Sequence, residues 1–317
     1  MKYITLLLLI SASAIAQKQF TVRDSITQKP LPYVSVNLGN GYAIYGTEDG
    51  EIMVQDADIK TVTLSCIGYS PATITMANSK DVVYLKPKPI QLDEVFVNLK
   101  KQKRIENVVK PKGHQDETQM TVSAIGSQYA FYISGSKNSY LSKIVMPIMK
   151  NDFVMSLDRK QSLFKKRDYK SLIKIEVLAN ADMLPGEKLN DYEQVVLIDN
   201  SKDIREFEVV LSEEIAIPEN GLFVQLTILG NADEFGKLTT EMPYDIVAKT
   251  DGTQTKAIRQ MQPHFPLYEA PKGLITYTNS AYSNRPWKKI EHTLVFNPNK
   301  TYRGFNIGFG YTIVVHQ

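Results

Sequence analysis

The stretch from Tyr268 to Trp287 combines aromatic side chains with polar donors among small residues. Its candidate binding residues are Tyr268, Tyr277, Tyr282, Arg285 and Trp287, interspersed with Gly, Pro, Ser and Asn. Carbohydrates present flat C–H faces that pack on aromatic rings, and hydroxyl edges that bond to amide and guanidinium donors. This composition therefore predicts a carbohydrate-binding surface. The alternative is that the aromatic rings close one end of a β-sandwich.

Four acidic residues offer a different chemistry, the hydrolysis of glycosidic bonds. Two carboxyl groups held roughly 5 to 9.5 Å apart across a cleft suffice for that reaction. The candidates are Asp191, Glu193, Glu213 and Glu214. Because the sequence does not give their separation, a glycan-active hydrolase stays as the alternative to a protein without catalytic activity.

Other reaction types lack their sequence signatures. The chain has no glycine-rich phosphate loop, no Gly-x-Ser-x-Gly nucleophile motif, no His-Glu-x-x-His pair and no paired cysteine ligands. We therefore assign no catalytic residue, no metal ligand and no cofactor from the sequence.

Residues 1–16 have the pattern of an export signal. Lys2 supplies the positive charge, Ile4 to Ile10 form an apolar run, and Ala14-Ile15-Ala16 provides small residues at a cleavage site. The apolar run is much shorter than the roughly 20 residues that span a bilayer. We expect cleavage after Ala16 and no transmembrane segment in the mature protein.

Composition restricts the class of partner and the source of stability. The chain has 37 Lys and Arg against 34 Asp and Glu, a formal charge of +3, which predicts no nucleic-acid partner. The single cysteine, Cys66, cannot form an internal disulfide. Stability must therefore come from packing, for which 43% hydrophobic residues suffice.

Residues 17–97 show the alternation of about seven short β-strands. Apolar and polar residues alternate around Phe20, Val36 and Leu64, and turn residues separate these runs. Asp49-Gly50, between two apolar runs, predicts a two-residue hairpin turn. This density of strands is typical of a β-sandwich.

Five ordered motifs in this region resemble the carboxypeptidase regulatory-like domain. They are Val22-Arg23-Asp24, Pro30-Leu31-Pro32-Tyr33-Val34-Ser35-Val36, Thr47-Glu48-Asp49-Gly50-Glu51-Ile52, Leu64-Ser65-Cys66-Ile67-Gly68-Tyr69 and Leu92-Asp93-Glu94-Val95-Phe96-Val97. The resemblance implies a seven-stranded transthyretin-like sandwich in an exported protein of a Gram-negative bacterium, periplasmic, associated with the outer membrane or secreted. The family has no catalytic residues that could be carried over.

The last of these motifs also resembles the segment by which outer-membrane nutrient receptors engage the TonB protein. The candidate partner strand is Asp93, Glu94, Val95, Phe96 and Val97. An extended segment with alternating apolar residues can add a strand to a partner sheet. This reading predicts an envelope protein partner. The alternative is that these residues form the last strand of the domain.

Residues 98–118 are basic and poor in apolar residues, which predicts a linker or a short exposed helix. From residue 119 to residue 317 strand patterns return, and only Ser156 to Lys170 has the composition of a helix. Glu206 to Gly230 resembles the second domain that accompanies regulatory-like modules, which implies a jelly-roll-like β-sandwich.

The sequence thus predicts an all-β chain of two sandwiches. We expect a non-catalytic exported protein of the cell envelope with a binding or scaffolding role, with carbohydrate as a candidate ligand of the C-terminal domain.

Overall fold

The computed structural model shows a chain that is nearly all β, as the sequence predicts. The described residues contain one short 3₁₀ turn, Met76–Asn78, and no α-helix. No helix among the described residues is long and apolar enough to span a bilayer. The predicted export signal, residues 1–16, and the predicted partner strand, Asp93 to Val97, lie outside the described residues. The structure describes residues 18–88, 104–112, 120–153, 164–249, 251–269, 274–283, 285–290 and 305–316.

The N-terminal part is a sandwich of seven strands in two sheets. One sheet has the order β4-β1-β7 and the other the order β3-β2-β5-β6. Strand β1 pairs antiparallel with β4 and parallel with β7. The strands are β1 (Lys18–Asp24), β2 (Ser35–Gly39), β3 (Tyr42–Tyr45), β4 (Glu51–Val54), β5 (Thr61–Ser65), β6 (Ala72–Thr75) and β7 (Val82–Leu85).

Alternate residues of these strands fill the space between the two sheets. Phe20 and Val22 of β1 and Val62 and Leu64 of β5 are almost completely buried, and their neighbours along the strand face outward. Together with Ile52 they belong to one continuous apolar core. The alternation read from the sequence therefore marks the core side of each strand.

The turn at Asp49-Gly50 forms, but the predicted hairpin is wrong. Strand β3 pairs with β2, whereas β4 pairs with β1 in the other sheet. The turn therefore joins the two sheets. Gly50 has a φ of 72°, and a Cβ there would lie 2.6 Å from the carbonyl oxygen of Val22. Only glycine fits this crossing without displacing β1.

The C-terminal part is a larger sandwich. A six-stranded sheet with the order β15-β14-β17-β10-β22-β23 packs on a four-stranded sheet with the order β16-β11-β25-β8. Its strands are β8 (Arg104–Val109), β9 (Ser123–Ala124), β10 (Ser127–Ile133), β11 (Ser139–Pro147), β12 (Asn151–Phe153), β13 (Phe164–Lys166), β14 (Lys170–Ala181), β15 (Leu184–Asp199), β16 (Glu206–Ala216), β17 (Leu222–Asn231), β18 (Tyr244–Ala248), β19 (Gln254–Ile258), β20 (Gln260–Met261), β21 (Leu267–Glu269), β22 (Thr276–Ser280), β23 (Lys288–Lys289), β24 (Phe305–Ile307) and β25 (Gly310–His316).

Two segments differ from the sequence prediction. Residues 104–109, predicted as part of a linker or exposed helix, form β8 at the edge of the four-stranded sheet and pair with β25. A strand at a sheet edge pairs through its backbone groups, so the basic, polar composition of the surrounding stretch does not prevent pairing. Part of the predicted helix, Ser156 to Lys170, is also strand. Phe164–Lys166 forms β13 and pairs with β12, and Lys170 begins β14. Residues 154–163 lie outside the described residues.

Each sandwich contributes side chains to the core of the other. Tyr45 from β3 is buried in the core of the C-terminal sandwich. Met242 and Tyr244, in turn, are buried in the N-terminal core, where the ring of Tyr244 meets that of Tyr42 edge to face at 4.8 Å between centroids. The Tyr244 hydroxyl also donates to Asp56 at 2.6 Å. These contacts hold the two sandwiches against each other.

Candidate ligand-binding cleft

A cleft of about 540 Å³ lies where the N-terminal sandwich meets the outer face of the six-stranded sheet. Its volume is within the range of roughly 300 to 1,000 Å³ that small-molecule sites occupy. The N-terminal sandwich lines it with Tyr33, Ser35, Tyr45, Ser65, Cys66, Ile67, Gly68, Tyr69 and Lys88, and the C-terminal sandwich with Gln128, Lys174, Glu176, Leu178, Lys188, Glu193, Gln225, Thr227, Ala281 and Tyr282.

The strand period explains why charged residues of β14 reach the cleft. Ile173, Ile175 and Val177 face the sandwich core, so Lys174 and Glu176 between them face the opposite side of the sheet. Pairing between strands aligns Glu176 with Gln225 of β17 on one side and with Glu193 of β15 on the other. The floor of the cleft is therefore a row of polar side chains across three adjacent strands.

Four charged side chains in the cleft form one network. The Glu176 side chain is only 3% exposed, and its Oε1 atom pairs with the ammonium groups of Lys188 and of Lys174, the latter at 3.3 Å. The amide of Gln225 donates to Glu176 Oε2 at 2.8 Å. Lys174 also pairs with Glu193 Oε2 at 3.6 Å. The buried carboxylate thus faces two ammonium groups through Oε1 and accepts a hydrogen bond through Oε2.

The network keeps its central pair ionised. Burial alone would raise the pKa of Glu176, but the ammonium groups of Lys174 and Lys188 outweigh burial and hold that pKa below its usual value. Burial would likewise lower the pKa of Lys174, and the carboxylates of Glu176 and Glu193 outweigh it and raise that pKa. Both groups therefore carry their charges at neutral pH.

The opposite wall offers hydroxyl groups and aromatic faces. The hydroxyls of Ser65 and Tyr282 lie 2.5 Å apart and form a hydrogen bond from one sandwich to the other. The Tyr69 hydroxyl donates to Asp24 Oδ2 at 2.8 Å, which fixes its ring. Burial, with a smaller contribution from the Glu193 carboxylate, raises the pKa of Cys66 to about 11. Cys66 is therefore a neutral thiol near pH 7, not an activated nucleophile.

The aromatic residues predicted to bind carbohydrate lie in different places. Tyr282 lines the cleft. Tyr277 and Trp287 pack beside Phe223 in a separate apolar cluster, and the Tyr277 hydroxyl donates to the Met183 carbonyl at 2.8 Å. The other two candidates are Tyr268, whose ring centroid lies 5.7 Å from the ammonium of Lys112, and the exposed Arg285.

The four candidate catalytic carboxylates do not all lie at the cleft. Glu193 is at the cleft, whereas Glu214 pairs with Arg104 and His316, each at 3.1 Å, on the four-stranded sheet. Asp191 and Glu213 are exposed.

Sequence reasoning missed the buried Glu176. The available signal was Lys174-Ile175-Glu176, two charges at alternate positions of a strand whose other face is apolar.

Within the described parts of the chain, no group of three or more His, Cys, Asp or Glu residues is placed to hold a metal ion. Comparison of the chain with protein-family models, with curated proteins and with solved structures gives no match. Function is therefore inferred from the cleft and from the sequence.

Proposed function

We propose that this protein is a non-catalytic exported protein of the cell envelope that binds a glycan or similar polar ligand in the cleft between its two sandwiches. The observation that carries the proposal is the charged network of Lys174, Glu176, Lys188 and Glu193 in a concave surface at a domain boundary. Ligand sites are concentrated at such boundaries.

The burial of this network favours a functional role. Removing two charges from water costs several kcal/mol per ion, and a well-packed apolar pair often serves stability equally well or better. The side chains of Lys174 and Glu176 are only 13% and 3% exposed. The pair as a whole adds little to stability, yet both side chains are held at fixed positions in a cleft. Selective binding requires side chains held in this way.

The same electrostatics argue against the alternative, a glycan-active hydrolase. Glu176 and Glu193 both contact the ammonium of Lys174, so two carboxylates do meet in the cleft. Glycoside hydrolysis needs one carboxyl group that stays protonated near neutral pH, which requires a raised pKa. The pKa of Glu176 is lowered instead. Glu176 is therefore unsuited to be the acid of such a pair, which favours binding over hydrolysis.

The envelope location is supported by residues 1–16, whose pattern is that of an export signal, and by the motifs that resemble the carboxypeptidase regulatory-like domain. On this proposal the N-terminal sandwich contributes one wall of the binding cleft. A partner strand at Asp93 to Val97 stays a prediction, because these residues lie outside the described ones.

The single cysteine provides a test of where a ligand binds. Cys66 lines the cleft, so a bound ligand should slow its alkylation by a maleimide. We expect at least one member of a panel of oligosaccharides, neutral and charged, to slow alkylation in a saturable way. Mass spectrometry of the intact chain measures the rate. If no member of the panel changes it, the proposed site is refuted.

A further inference from the structure

The charges inside the cleft compensate one another. Lys174 and Lys188 contribute two positive charges, and Glu176 and Glu193 contribute two negative ones, all within one connected set of ion pairs. The remaining charged side chain that lines the cleft, Lys88, is exposed. Within this set of four side chains, a charged ligand of either sign therefore meets groups of its own sign as well as groups of the opposite sign, and solvent screens the charge of the exposed Lys88.

The mouth of the cleft offers a donor and an acceptor on the same strand. Lys188, whose side chain is 39% exposed, pairs with Glu176 and carries three N–H donors. Glu193, whose side chain is 28% exposed, pairs with Lys174 through Oε2. Because hydroxyl groups both donate and accept, the hydroxyls of one ligand can bond to the ammonium of Lys188 and to the carboxylate of Glu193 without disturbing the ion pair that each already makes. A ligand carboxylate or ammonium can satisfy only one of the two.

Aromatic rings and uncharged polar groups complete the lining. Tyr33, Tyr69 and Tyr282 are half-buried around the cleft, and Gln128 is a half-buried amide there. Partly exposed rings present flat apolar faces, and the amide supplies both a donor and an acceptor. Alternating apolar faces and hydroxyl edges are the chemistry of a sugar ring.

We infer that the ligand of the cleft is an uncharged glycan, whose hydroxyl groups bond to Lys188 and to Glu193 at its mouth. This inference rests on the proposed function and adds selectivity against acidic and basic sugars. Selectivity arises because an ionic ligand gains one attractive contact only by accepting a repulsive one.

Matched pairs of oligosaccharides test the inference, because each pair differs in charge and little else. Suitable probes are N-acetylated against deacetylated chito-oligosaccharides, and methyl-esterified against free oligogalacturonides, together with neutral gluco- and manno-oligosaccharides. Calorimetric titration gives the affinity, and protection of Cys66 from alkylation shows that binding occurs in the cleft. We expect at least one neutral member to bind there, and charged counterparts to bind at least tenfold more weakly.

Glu193→Gln adds a test of mechanism. This variant removes one negative charge at the mouth and keeps an acceptor oxygen, so the ratio of anionic to neutral affinity should rise by about tenfold. Glu214→Gln is the matched control, because Glu214 pairs with Arg104 and His316 on the other sheet. It should leave the ratio unchanged.

The outcomes separate the two proposals. A charged oligosaccharide that protects Cys66 and binds more tightly than its neutral counterpart would overturn the inference and leave the proposed binding function in place. An unchanged ratio in Glu193→Gln would also overturn it. Failure of every probe, neutral and charged, to protect Cys66 would remove both.

Discussion

The buried pair of Lys174 and Glu176 makes a quantitative prediction about stability. Removing one partner of a buried ion pair costs about 3 to 5 kcal/mol, since the other charge is left uncompensated, whereas replacing both with apolar residues is often close to neutral. Lys174→Met leaves Glu176 with Lys188 and Gln225. We therefore expect a cost near the lower end of that range, about 3 kcal/mol.

The double variant Lys174→Met/Glu176→Leu should be more stable than Lys174→Met alone. Lys188 then returns to solvent, and the Gln225 amide keeps its hydrogen bond to Thr227 Oγ1 at 3.2 Å. We expect a total cost of about 1 kcal/mol and a coupling energy of at least about 2 kcal/mol, which a double-mutant cycle with Glu176→Leu isolates.

Urea unfolding followed by tryptophan fluorescence is the appropriate assay. Trp287 is the single tryptophan and packs in an apolar cluster with Leu178 of β14, so it reports on the sandwich that carries the ion pair. Stabilities are compared from the midpoint and slope of each curve. If the double variant loses as much as the two single variants together, the charges act independently and the reasoning fails.

The same network predicts how the stability of the folded state changes as the pH falls. The pKa of Glu176 in the folded state lies below its usual value of 4.5, so its contribution to stability is present above that value and is lost as the pH falls through the folded-state pKa. Unfolding measured from about pH 6 down to about pH 3 should therefore show a smaller loss of stability in Glu176→Gln than in the wild type. Equal losses would contradict the assignment.

Three further outcomes follow from the structure. Gly50→Ala should destabilise by about 2 kcal/mol or more, because its Cβ would meet a backbone oxygen at 2.6 Å, whereas Gly41→Ala, also at positive φ but with nothing within 4 Å, should lose only about 1 kcal/mol in the same urea assay. The alkylation rate of Cys66 should rise with pH around a midpoint of about 11, and a midpoint near the ordinary value of 9.0 would contradict its burial. Tyr244→Ala should cost about 3 to 5 kcal/mol and weaken the contact between the sandwiches, so that thermal unfolding by calorimetry separates into two transitions; a single, unshifted transition would show that Tyr244 does not hold them together.

Local patterns were sufficient to predict the strands, but not how they pair. Val62 and Leu64 alternate with polar residues, and that alternation is enough to place β5. Asp49-Gly50 predicts a turn correctly, yet the strands on either side of it lie in different sheets. Pairing depends on contacts between residues far apart in sequence. The parallel pairing of β1 with β7 has no local signature.

The cleft could be predicted only in part, because residues of both sandwiches form it. Tyr282 was a candidate from its composition, and Glu193 from its charge, but nothing in the sequence places either beside Ser65 or Glu176. The aromatic residues between Tyr268 and Trp287 do not form one site. Tyr277 lies on a strand, whereas Tyr282 lies in the turn that follows, with a φ of 59°. Rings five residues apart therefore point to different surroundings.

The central claim, that the cleft between the sandwiches binds a ligand, is tested most directly by filling it. Ser65→Trp puts a large ring into the cleft, whereas Thr63→Trp puts the same ring two residues earlier on β5, beside Thr73 and outside the cleft lining. Calorimetric titration with the oligosaccharide that protects Cys66 should show at least tenfold weaker binding to Ser65→Trp and unchanged binding to Thr63→Trp. Equal affinity of both variants would contradict the claim.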